Sequence, residues 1–207
     1  MTTSDENSRR DLLVLTAAWI AGLVLSGWSP FDRATWLLEV LPALLALPVL
    51  WLTRRHFTFT TLVYVAVLLH GLILMGGGAY TYARVPAGFW VQDWLGLARN
   101  PYDKLGHFAQ GLVPALVARE MLLRLFNLPR GWLIGFLAVC ICLAISAFYE
   151  LIEWWVALAL GQGADEFLGT QGDPWDTQSD MAWALIGALV AVLLLARWHD
   201  RAMAGKA

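Results

Sequence analysis

The sequence predicts an all-α polytopic membrane protein with six transmembrane helices and both termini in the cytoplasm. Three observations carry this expectation: an excess of apolar residues, their grouping into long uncharged runs, and a lopsided distribution of positive charge. Of the 207 residues, 59% are hydrophobic and only 14% are charged, against about 25% charged in an ordinary soluble domain. Mean hydropathy is +0.60. A soluble domain of this length cannot hide so much apolar surface in one core, so lipid has to cover much of it. The lipid bilayer is therefore the expected surrounding partner. No basic tract points to nucleic acid, and the net charge of −2 singles out no other partner.

The first run, about 11–28, follows Arg9 and Arg10 as the core of a signal peptide would. Gly27-Trp28-Ser29-Pro30 closes it in place of a small-x-small cleavage site, so it reads as a retained helix. The second, about 35–53, holds Glu39, Pro42 and Pro48; prolines are tolerated in membrane helices where neighbours satisfy the freed backbone. The third, about 58–79, has His70 near its middle and ends in Gly76-Gly77-Gly78, which is expected to break it. The fourth, about 104–126, opens with charge and is interrupted at its far end by Arg119 and Glu120. The fifth covers about 131–160 and the sixth about 179–197. Each can cross a ~30 Å hydrocarbon core at ~1.5 Å per residue, and the runs are too long and too little alternating for strands. They form one six-helix transmembrane domain over residues 1–207.

Sidedness follows from the cations. With the amino terminus inside, inner segments hold Arg9, Arg10, Arg54, Arg55, Arg119, Arg124, Arg130, Arg197, Arg201 and Lys206, and outer segments hold Arg33, Arg84, Arg99 and Lys104. Ten against four is the bias the positive-inside rule requires. The tryptophans agree: most fall at one interface or the other, as indole prefers, and only Trp19 lies deep. Two outer segments are long. In 86–100, Phe89, Trp90, Trp94 and Leu97 share a helical face, which predicts a short helix in the outer interface. Segment 161–179 is acidic and glycine-rich. It is expected to fold over the bundle, with Phe167, Leu168 and Trp175 on apolar surface and Asp173 and Asp176 on Lys104 and Arg99.

Ionisable side chains inside spans are costly and therefore informative. They gather near the outer ends of three helices. The fourth opens with Asp103, Lys104, His107 and Gln110; the fifth carries Glu150 and Glu153; the sixth is entered through Asp173, Asp176 and Asp180. Glu150 is 18 residues beyond Trp132, so about 27 Å along its helix from the inner interface. Asp103 and His107, Glu150 and Glu153, and Asp176 and Asp180 are each spaced i,i+3 or i,i+4, on one helix face. Gly187 and Ala191 continue the Asp180 stripe in small residues that let another helix approach. His107, Glu150 and Asp180 are expected to form one constellation, with Lys104, Glu153 and Asp176 at its rim.

Three readings of this cluster stand side by side. Its charges are ion pairs that fix a membrane scaffold or interaction protein. Or His107, Glu150, Glu153 and Asp180 are catalytic, as metal ligands or as general acid and base, while Asp103, Lys104, Gln110, Asp173 and Asp176 bind the ligand. Or the cluster serves a small transporter or proton relay. Whether the protein is an enzyme stays open, as do any metal and cofactor, since neither an H-E-x-x-H nor an E-x-x-H pair is present. His70 reads as a hydrogen-bonded core histidine, His56 and His199 as inner-interface residues, and Cys140 and Cys142 as apolar filling.

At these residues a resemblance appears. The stretches YDKLGHFAQGLVPALVARE (102–120), SAFYELIEWW (146–155) and FLGTQGDPWDTQSDMAWALIGA (167–188) resemble the YjdF family of predicted bacterial inner-membrane proteins. This implies a multi-pass protein of the bacterial cytoplasmic membrane and supplies no activity, because the family is described as a domain of unknown function. Asp103-Lys104-x-x-His107-Phe108 is also similar to a helix start in VanZ-like membrane proteins. Asp176 or Asp180 followed by Gly187 is similar to their later Asp-containing helix, although Ala184 stands where that pattern has Asn. By analogy alone, that similarity implies binding of, or action on, an envelope or lipid-related molecule at the outer face.

Overall fold

The computed structural model describes residues 3–160 and 170–205, with side chains from 12 to 159 and from 170 to 205. All regular structure among them is helical. The helices are α1 (Thr3–Trp28), α2 (Arg33–Thr53), α3 (Thr61–Tyr80), α4 (Pro86–Leu95), α5 (Tyr102–Glu120), α6 (Trp132–Leu160), α7 (Asp176–Leu189) and α8 (Ala196–Ala204). A π turn extends α5 over Met121–Leu125, and another extends α7 over Val190–Leu194.

Four segments are long and apolar enough to cross a membrane: Arg33–Thr53, Thr61–Tyr80, Trp132–Ala159 and Asp176–Leu194. Leu12–Trp28 is a shorter apolar stretch. The charged α5 falls outside this set for a physical reason: α3, α6 and α7 pack around it, and its His107, Arg119 and Glu120 are buried. A helix enclosed by protein can carry charges that lipid would exclude. The outward faces are apolar, with Leu25, Leu52, Leu69, Phe136, Leu158 and Leu193 all exposed.

Antiparallel neighbours set two ends to the bundle. Trp51 Nε1, near the end of α2, donates to Thr16 Oγ1 (2.9 Å) midway along α1, and Trp36 Nε1, near the start of α2, donates to Ser26 Oγ (3.1 Å) near the end of α1. The start of α1 thus lies with the end of α2 at what we term the terminal end; the opposite end carries α4. The tightest crossing joins α5 and α7. A Cβ at Gly111 would overlap the Ala184 carbonyl oxygen, and one at Gly187 would overlap the Phe108 carbonyl, so backbone meets backbone as small residues permit.

Several expectations need correction. α1 begins earlier, at Thr3, and the sixth run begins at Asp176. Gly76, Gly77 and Gly78 do not break α3, which continues to Tyr80. They thin it instead: a Cβ at Gly77 would overlap the Tyr82 ring, and one at Gly78 would sit 3.2 Å from Glu39 Cβ. The chain turns after them at Thr81 and Tyr82, both at positive φ. The interfacial helix is shorter than expected and closes at Gly96 (φ +64), with Trp90 and Trp94 exposed. Finally, His199 is not an interface residue but wholly buried.

Candidate functional site

The α5 amino terminus is fixed by a loop bridge before any charge is paired. Asn100 Oδ1 accepts from the Tyr102 N–H (3.0 Å), and its Nδ2 donates to the Val85 carbonyl (3.0 Å). Asn100 also exchanges two 3.1 Å hydrogen bonds with the Gln171 side-chain amide. Arg99 donates to the Thr170 carbonyl (2.7 Å). These contacts strap segment 170–176 to the start of α5. Asp103 and Asp176 then lie in the first turns of α5 and α7, where the helix dipole favours carboxylates.

Ion pairs form the rim. Arg99 lies 2.5 Å from Asp176 and 3.0 Å from Asp173. Lys104 Nζ lies 2.7 Å from Asp180 and 3.3 Å from Asp176, with Asp103 at 3.9 Å. Trp175 is exposed rather than packed down, while the strap is held by the polar contacts of Arg99, Asn100 and Gln171. Phe167 and Leu168 lie outside the described residues.

Behind the rim sits His107. Its Nδ1 is 2.9 Å from Gln110 Oε1. The opposite ring nitrogen, Nε2, faces two carboxylates. Nε2 lies 3.4 Å from Asp103 Oδ1 and 3.7 Å from Asp180 Oδ2, too long for good hydrogen bonds. Two sets of donor atoms, each mutually within 4.8 Å, share this histidine: Asp103, His107 and Asp180, and His107, Glu150 and Glu153. The residues singled out from sequence on three helices therefore converge. Glu150 Oε1 is buried with no hydrogen-bond partner among the described residues.

A cavity of about 210 Å³ opens beside His107. Its polar lining includes Asp103, Gln110 and Glu153, and also Glu39, His70, Tyr82 and Tyr149, which sequence reasoning did not assign to the site. The Tyr149 hydroxyl donates to Glu39 Oε2 (3.3 Å) across α6 and α2, and the Tyr149 ring stands edge-on to the His107 ring at 6.5 Å. His70 is not the hydrogen-bonded core residue expected: its Nε2 is buried and unpartnered among the described residues, against this cavity. The same cost rule that singled out Glu150 applied to Glu39 and His70, each alone in an apolar helix.

At the other end of α5 lies a second buried polar cluster. Glu120 accepts from the Thr60 N–H (2.8 Å) and hydroxyl (2.7 Å), pairs with Arg124, and lies 3.0 Å from His199 Nε2. Arg124 also donates to the Thr58 carbonyl (2.9 Å) and stacks over Phe57. It joins α3, α5 and α8 with a satisfied carboxylate and presents no free ligand atom of Glu120.

Residues 12–201 match the family model described as "Predicted membrane protein (DUF2238)". The chain is 58% identical over 194 residues to the inner membrane protein YjdF of Escherichia coli (strain K12), covering 93% of each chain. No solved structure matches it. With its apolar helices and buried intramembrane charges, the chain is a multi-pass inner-membrane protein, and it belongs to the DUF2238 family of predicted membrane proteins.

Proposed function

We propose that the chain is a single six-span domain whose His107 cavity binds a divalent cation and, through it, binds or acts on an envelope or lipid-related molecule at the outer face. The observation that carries this reading is the convergence of His107, Glu150 and Glu153 donor atoms within 4.8 Å, with Glu150 Oε1 unpartnered among the described residues. A histidine with two carboxylates is a donor set for divalent first-row cations, and a bound cation activates water or a phosphoryl oxygen. The other set is already served by the Lys104 ammonium, which lies 2.7 Å from Asp180. Gln110 supports the assignment by fixing the His107 ring through Nδ1, the kind of orienting contact that metal-binding histidines use.

Six spans follow from adding α1 and the protein-enclosed α5 to the four apolar helices. The ten-to-four bias of Arg and Lys supports cytoplasmic termini and an outward-facing site. A purely structural ion-pair reading accounts for the Arg99 and Lys104 rim but not for Glu150 Oε1, unpartnered among the described residues, or for a cavity lined by the unpartnered His70 Nε2.

The test uses the full chain in detergent, stripped with a chelator, and measures thermal unfolding with Mn²⁺ or Zn²⁺ added. Wild type is expected to gain about 5 °C or more at a hundredfold excess over the dissociation constant, since such saturation stabilises by about 2.7 kcal/mol. Glu150→Gln and His107→Gln should fold and lose the gain; Asp173→Asn should keep it. No gain in wild type with either ion, or equal gains in Glu150→Gln, overturns the reading. Impermeant cysteine labelling at Gln171→Cys but not Ala204→Cys in intact cells is the expected topology result, and the reverse pattern refutes it.

A further inference from the structure

A groove of about 510 Å³ runs between α6 and α7 at the terminal end, far from the His107 cavity. Its apolar wall includes Phe136, Val139 and Leu193; its charged residues are Arg119, Arg130 and Asp200. Arg119 has a side chain only 10% exposed; it pairs through NH2 with Asp200 at 2.8 Å. Its NH1 is buried with no hydrogen-bond partner among the described residues, although the residue lines the groove. Arg130 is 65% exposed and stands 3.6 Å from the same Asp200. Two guanidinium groups thus share one carboxylate, leaving one positive charge and one buried donor unanswered. A buried donor left unmade costs free energy, and the mouth of the groove carries one positive charge in excess.

Depth selects what answers that charge. Trp132 and Trp198 are both exposed, and exposed indole marks the headgroup level. Arg130 is two residues from Trp132, while Phe136 and Val139 lie one and two turns further along α6, up to about 10 Å toward the bilayer centre. The charged mouth is at phosphate depth and the apolar wall at acyl depth.

We propose that this groove is a binding site for an anionic phospholipid, with its phosphate on Arg119 and Arg130 and an acyl chain along Phe136, Val139 and Leu193. The net charge of the mouth matches the single negative charge of a phosphodiester, and Arg offers the forked donors that phosphate recognition favours. Gly135 keeps the wall open: a Cβ there would meet only Val192, at an ordinary contact distance of 3.7 Å, so a side chain at this position extends from the groove wall.

Native mass spectrometry of the full chain in detergent tests this with phosphatidylglycerol and phosphatidylcholine of identical chains. Wild type is expected to bind phosphatidylglycerol about fivefold more tightly, the effect of roughly one interfacial cationic contact. Arg130→Gln, at an exposed position, should abolish that preference, and Gly135→Leu should weaken both lipids. Equal binding of the two lipids by wild type overturns the proposal, as does an Arg130→Gln variant that keeps the preference. Complete displacement of phosphatidylglycerol by millimolar inorganic phosphate would instead assign the mouth to a free anion and also overturn it.

Discussion

At the terminal end of α5, Glu120 is met by the Thr60 N–H and hydroxyl, Arg124 and His199. At the α4 end of the same helix, 13 residues and ~20 Å away, His107 faces carboxylates at 3.4 and 3.7 Å. It borders a cavity in which His70 Nε2 has no partner among the described residues. Both clusters bury charge. The Glu120 cluster returns every desolvated carboxylate oxygen a donor and so behaves as a joint between helices. The His107 cluster leaves Glu150 Oε1 and the neighbouring His70 Nε2 without a partner among the described residues, an arrangement that stability alone does not call for.

Substitutions can break that contrast. The largest effect is expected at Glu120. Glu120→Ala strands Arg124 and His199 and should lower stability by about 3–5 kcal/mol, read from detergent unfolding curves; a loss below about 1 kcal/mol would remove the joint from the account. Gly111→Val comes next. Its side chain meets the Ala184 carbonyl, and overpacking of this kind costs about 1–3 kcal/mol or more. Gly131→Val, with nothing within 4 Å, serves as the silent control.

Asp32→Ala removes the α2 N-cap, in which Oδ1 accepts from the Thr35 N–H at 2.7 Å, and should cost about 1 kcal/mol. That hydrogen bond, with the Thr35 hydroxyl, holds the Asp32 carboxyl below the usual aspartate range. Its contribution is therefore present above the unfolded pKa of about 3.9 and lost as pH falls through the lower folded value. The Asp32→Ala difference should vanish in acid. Smallest is Glu150→Gln: with one oxygen unpartnered among the described residues, stability should change by less than the ~1 kcal/mol of a typical net hydrogen bond while the cation response disappears. A large stability loss would place Glu150 with Glu120 as a structural group.

The all-helical fold was legible because lipid leaves few alternatives: a chain must satisfy its own backbone within each span, and the apolar runs show where. The Asp103–His107 and Glu150–Glu153 pairs were legible from spacing on one helix. Glu39 and Tyr149 were not, since their hydrogen bond links positions 110 residues apart and depends on how α2 meets α6. His199 was misread because its arginine neighbours suggest a surface; α8 instead turns it inward onto Glu120. The three glycines of α3 were misread because close packing and helix breaking use the same residue, and only the Tyr82 ring beside Gly77 distinguishes them.

The glycine crossing of α5 and α7 also determines which wall of the His107 cavity can give way. Where Gly111 meets Ala184 and Gly187 meets Phe108, no side-chain layer lies between the two helices to compress or slide. Asp103, His107 and Asp180 thus ride on one stiff frame, like teeth on a fixed jaw. Glu39 and His70 stand on α2 and α3; α3 packs on that frame and α2 packs on α3, and α2 carries Pro42 and Pro48 within it. Any widening that admits a ligand has to be taken up on that second jaw, with the first acting as its anvil.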